Sequence, residues 1–81
     1  MSPEQSRAAR GWLDWTQDQL ASAASVSLST VRDYEKARRV PIANNLNAMR
    51  RALEGGGINF TASGITYAPP TKSVEALDAP A

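Results

Sequence analysis

The sequence predicts an all-α fold: a small bundle of four to five helices around a helix-turn-helix, followed by a small C-terminal β-hairpin and a flexible tail. Three observations carry that reading. Residues 16–35, TQDQLASAASVSLSTVRDYE, divide into two short helical segments joined by a tight turn. Apolar residues recur at i, i+3, i+4 spacing before and after that pair. Beyond Gly55-Gly56-Gly57 the period changes to strict alternation, which belongs to strands.

The first helix opens at Pro3. Ser2 is its N-cap, Pro3 suits the first turn, and Gln5 stands at the third helical position, where it can reach back to the cap. Ala8, Ala9, Trp12 and Leu13 supply the expected buried face, with Arg7 and Arg10 towards the outside. Trp12 and Trp15 bracket the end of the helix as core or core-edge residues.

Thr16 with Gln19 repeats the capping-box signature and starts the second helix. Its narrow stripe of Leu20, Ala21 and Ala24 lets another helix approach closely. Val26 plugs the turn, and Ser27 caps the third helix. That helix sets Thr30, Val31 and Tyr34 on one side and Leu28, Ser29, Arg32 and Asp33 towards the other. Pro41 disfavours a helical Val40, so the third helix must end before it. A fourth helix follows from Ile42 to Glu54, with Leu46, Met49, Ala52 and Leu53 towards the core and Arg50 and Arg51 near the negative end of its dipole. The centre is expected at Leu20, Val26, Val31, Leu46, Met49 and Leu53.

The triple glycine ends that helix and closes a domain over residues 1–57. Ile58-Asn59-Phe60-Thr61 and Ile65-Thr66-Tyr67 flank Ala62-Ser63-Gly64, giving a hairpin over residues 58–67 whose apolar face should dock on the bundle. Residues 68–81, with two adjacent prolines and little to bury, read as a flexible tail.

Composition narrows the function. With 81 residues there is room for one small domain. The chain has neither cysteine nor histidine, so disulfides, thiolate metal sites and the commonest catalytic base are absent. The scattered Asp14, Asp18, Asp33, Glu35 and Glu54 form no tuned acid and base pair, and the glycines lack the Lys-Ser/Thr of a phosphate loop. No enzyme, cofactor or metal is expected. No apolar run nears the ~20 residues that span a bilayer, and the start lacks a signal-peptide pattern, so the expected location is the cytoplasm. The net charge is only +1, so any affinity for nucleic acid must come from local charge placement.

Gln17-x-x-Leu20-Ala21, Val26-Ser27-x-Ser29-Thr30-Val31-x-x-Tyr34-Glu35 and Arg38-Arg39-x-Pro41 together resemble the XRE-type, lambda repressor-like (phage Cro and repressor) helix-turn-helix domain. The likeness runs over residues 7–60. It implies a small transcriptional regulator that binds a double-stranded DNA operator, as a homodimer in many members. The recognition helix is then 28–36, with Leu28, Ser29, Arg32 and Asp33 facing bases. Gln17, Arg38, Arg39 and Asn44 match positions that contact phosphates. Glu35 would support the connector after the helix, through Arg38 or Arg39. Ser25 and Ala37 stand where the family usually has glycine, which is tolerable for a backbone that avoids positive φ.

An apolar Leu28, an acidic Asp33 and the small net charge also suit a different partner. On that reading the fold is an anti-activator that grips a transcriptional activator protein in place of DNA.

Overall fold

The computed structural model describes residues 1–70. It contains four helices and one hairpin: α1 (Pro3–Leu13), α2 (Gln17–Ala24), α3 (Leu28–Glu35), α4 (Ala43–Gly55), β1 (Ile58–Phe60) and β2 (Ile65–Tyr67). Among the described residues the helix count is therefore four, and the last helix begins one residue later and ends one residue later than the sequence suggests. Of the expected tail, 71–81 lies outside the described residues; the Ala68 N–H still donates to the Gly57 carbonyl at 2.9 Å.

The helix starts are set locally. Ser2 and Gln5 form a reciprocal capping box on α1, and Thr16 and Gln19 form another on α2. Ser27 caps α3 by accepting from the Thr30 amide. Each cap satisfies amides that an unmodified helix end leaves orphaned. Gln5 does a second job: its Nε2 donates to the Thr61 and Gly64 carbonyls, at 2.6 and 2.9 Å, and so ties the hairpin loop to α1.

Three links turn through a left-handed residue that is not glycine, the first at Asp14, the C-cap of α1, with φ 61°. Ser25, the C-cap of α2, has φ 56°, and Ala37, just after α3, has φ 59°. The expectation that a missing glycine means no positive φ is thus overturned at both positions. The left-handed geometry is kept because it closes the two helix ends: Val26 N–H reaches the Ala21 carbonyl, and Arg38 N–H reaches the Asp33 carbonyl. A non-glycine residue there costs ~1–2 kcal/mol, part of which glycine returns as unfolded-chain entropy. Ser25→Gly and Ala37→Gly are each expected to stabilise by about 1 kcal/mol, a rise of roughly 4–8 °C in melting temperature for a domain this small. An unchanged or lower melting temperature would count against the strain.

The core holds Ala9, Leu20, Ala21, Ala24, Val31, Tyr34, Met49, Leu53 and Ile58. Four of the six expected central residues are fully buried, whereas Val26 and Leu46 are half-buried and pack on its rim. The face of α1 differs from expectation. Ala8 is exposed and Trp12 is 62% exposed, while Ser6 is completely buried beside Ala9. The bundle takes up the Ser6–Ala9–Leu13 stripe, and Trp12 turns outward to stack obliquely on Tyr67, centroids 5.6 Å apart. The strands are antiparallel, with Ile58 opposite Tyr67 and Phe60 opposite Ile65. Ile58 is driven into the core, and Phe60 and Ile65 pack against its edge.

Candidate nucleic-acid interface

The orientation of α3 is fixed by one buried carboxylate. Glu35 ends the helix with only 2% of its surface exposed. Arg10 forms a two-pronged pair with it, Nη2 to Oε1 at 2.6 Å and Nε to Oε2 at 2.8 Å. The Ser6 hydroxyl donates to Oε2 at 2.6 Å, and the Gln17 amide donates to Oε1 at 3.1 Å. Arg7 donates to the Glu35 backbone carbonyl. Arg10 also holds the Trp15 carbonyl, at 3.0 Å, in the link between α1 and α2. One side chain of α3 is thereby bolted to α1 and α2 together.

This latch corrects two expectations. Arg10 is turned inward, not outward, because a buried carboxylate needs a cation and α1 passes beside it. Glu35 draws its support from Ser6, Arg10 and Gln17, while Arg38 and Arg39 remain in solvent. Burial alone pushes the Glu35 carboxyl up. The hydrogen bonds from Arg10, Ser6 and Gln17, with the Arg10 charge, outweigh it and hold the group below its ordinary value. Sequence reading missed the latch because its members are 18 to 29 residues apart. The one available signal was Ser6 and Arg10 at i, i+4, sharing a helix face with Ala9.

The outer face of α3 is polar and open. Ser29 and Arg32 are exposed one turn apart, and Lys36 follows one turn further. Asp33 is half-buried. Leu28 is half-buried too, packed against the core, so only part of it meets solvent. The Ser29 hydroxyl bonds Ser27 Oγ at 3.1 Å within the capping cluster. Arg38 and Arg39 are exposed just past the Ala37 turn, and Asn44 is exposed in the first turn of α4. Gln17 is half-buried with its amide on Glu35, so it is committed to the latch. Of the eight expected contact residues, seven thus keep some surface in solvent, Leu28, Ser29, Arg32 and Asp33 along α3, Arg38 and Arg39 past its C-terminus and Asn44 in the first turn of α4, while Gln17 is held on Glu35.

Unpaired cations gather along α3 and past its C-terminus. The ion pairs among the described residues are Arg10–Glu35 and Arg50–Glu54. Arg32, Lys36, Arg38 and Arg39 take part in neither, and with Glu35 neutralised only Asp33 opposes them nearby. A chain of net charge +1 therefore concentrates cations on and just beyond α3. A cleft of about 240 Å³ lies alongside, lined by Ser29, Thr30, Asp33, Arg39 and Asn45 together with the apolar Val40, Pro41 and Ile42. Ile42 caps α4 without a side-chain hydrogen bond, leaving the first amides of α4 unserved by any cap.

Among the described residues, no three His, Cys, Asp or Glu side chains are grouped to hold a metal ion. No helix there is long and apolar enough to cross a membrane. A family model described as a helix-turn-helix domain, within the XRE/Cro-like group, matches residues 5–58. No curated protein matches the chain.

Proposed function

We propose that this chain, which belongs to the helix-turn-helix domain family matched over residues 5–58, is a transcriptional regulator that binds double-stranded operator DNA through the outer face of α3. The observation that carries this is the set of four exposed, unpaired cations on and just after a helix whose buried end is locked in place. A major-groove reader needs a rigid helix, polar side chains towards base edges, and flanking cations on the phosphates.

The roles divide by position. Arg32 suits bidentate recognition of guanine, and Ser29 and Asp33 lie beside it as acceptors or donors to neighbouring bases. Leu28 can touch a thymine methyl with its exposed part only. Arg38, Arg39 and Lys36 are suited to phosphates, as is Asn44 with the uncapped amides at the start of α4. Gln17 acts indirectly, by steadying Glu35.

Arg32→Ala is expected to cost ~1–3 kcal/mol on a preferred duplex and to relax preference at one base pair. Arg38→Ala should instead weaken every duplex alike. Fluorescence anisotropy on matched and mismatched duplexes reads both. Equal losses from the two variants on all sequences would remove the base-reading role from Arg32.

A second reading rests on Val40 and Ile42, which line the cleft and are 75% and 70% exposed. Apolar residues so placed suit a protein partner, a transcriptional activator held in place of DNA. Such a complex would lose affinity on Val40→Ser or Ile42→Ser and would tolerate salt. Leu28 is the poorer probe, because truncating it also disturbs the core edge.

A further inference from the structure

A second groove, of about 470 Å³, lies where the connector after α3 meets the start of α1 and the first turns of α4. That volume is proper to a small-molecule site. Its apolar lining comes from Met1, Pro3, Ala37, Val40 and Leu46. The groove is fixed in shape on one side, because the Tyr34 hydroxyl donates to the Met1 carbonyl at 2.7 Å and ties the residues before α1 to α3. Met1 and Leu46 also pack against the core.

The polar lining is of two kinds. Tyr34 is spent on Met1, and Ser2 on its capping box with Gln5. Arg38 and Arg39 are exposed, and among the described residues their guanidiniums belong to no ion pair. No carboxylate lines the groove. Of the two whose charge reaches Tyr34, Glu35 is neutralised by Arg10, and Glu4 lies outside the lining.

We infer that this groove binds a small amphipathic carboxylate, with an alkyl stem of about eight carbons on Val40 and Leu46 and its charged end on Arg38 and Arg39. Apolar lining alone would take any oily molecule, and two exposed arginines alone would take any anion. Side by side they select a ligand that carries both features. A planar guanidinium meets a carboxylate with two parallel hydrogen bonds, which fixes the charged end. Under the proposed function the same two arginines meet phosphates, so ligand and duplex compete for them. Only that competition rests on the DNA reading; the site itself does not.

The direct test uses no DNA. Octanoate titrated into the full chain should shift the amides of Ala37, Val40 and Leu46 and saturate with a Kd of about 0.1–1 mM, ordinary for so few atoms. The groove of about 270 Å³ lined by Trp12, Ile65, Thr66 and Tyr67 holds no charged residue and serves as the internal control; its amides should stay still. Butyrate has too short a stem and 1-octanol has no charge, so each should bind about tenfold or more weakly than octanoate. Val40 is 75% exposed, so Val40→Asp should weaken octanoate about tenfold while leaving the helical circular dichroism intact. Arg38→Gln combined with Arg39→Gln should weaken octanoate by a similar factor and leave 1-octanol unchanged. Absence of a saturable shift up to about 10 mM would overturn the site. So would equal shifts in the control groove, or 1-octanol binding as tightly as octanoate. Saturating octanoate should weaken binding to an enriched duplex about fivefold or more. An unchanged duplex affinity would overturn the competition, whereas a chain that binds octanoate and no duplex would overturn the proposed function and leave the site standing.

Discussion

Arg10→Ala is expected to lose about 3–5 kcal/mol of folding stability, the largest effect of any single polar substitution in this chain. The substitution strands a carboxylate that is 2% exposed and removes its two-pronged partner. Ser6 and Gln17 can still donate to Glu35, but two neutral donors do not replace a guanidinium. Urea denaturation measures the loss. Adding Glu35→Gln to Arg10→Ala should recover a substantial part of it, because the uncompensated charge is then gone. A loss under about 1 kcal/mol would reduce the latch to a surface ion pair.

The same latch sets the response to acid. Glu35 is held below its ordinary value in the folded chain, so the unfolded chain takes up its proton first as pH falls. Its contribution is complete above the ordinary glutamate range and is lost as pH drops through the lower folded value. Glu35→Gln should flatten that part of the stability profile.

Leu20→Ala is expected to cost ~2–5 kcal/mol, which for a domain of this size removes much or all of the margin. Leu20 is fully buried where α2 meets α3 and α4. Leu46→Ala should cost about half as much, since Leu46 already borders solvent and water can fill part of the space left behind. Thermal melts of the two variants separate these positions. Equal losses would mean that the rim of α4 is packed as tightly as the centre.

Local signals in the sequence were strong. Ser2 with Gln5, Thr16 with Gln19, and Ser27 each fixed a helix start to the residue, because a cap is chemistry within four positions. The alternation in Ile58-Asn59-Phe60 and Ile65-Thr66-Tyr67 likewise gave the hairpin. What failed was whatever depended on a distant partner. Ser6 and Arg10 look like solvent residues until Glu35 is known to lie against them. Trp12 looks like core until Ser6 takes its place. The positive φ of Ser25 and Ala37 left no trace in composition, since the usual marker is glycine. For the interface, residue types singled out side chains that the structure leaves at least partly in solvent along and beyond α3, apart from Gln17. They could not reveal that Gln17 is spent on Glu35 or that Leu28 is half-withdrawn into the core.

In the proposed function the outer face of α3 reads DNA. The most direct test is to select duplexes from a randomised pool with the full chain, then follow binding to the enriched sequence across a salt series. The account predicts a defined enriched sequence. It also predicts an affinity that falls with log salt at a slope of roughly −3, as suits about three phosphates neutralised by Lys36, Arg38 and Arg39. Arg38→Ala should reduce that slope by about one. No enriched sequence and no binding at low salt would contradict it.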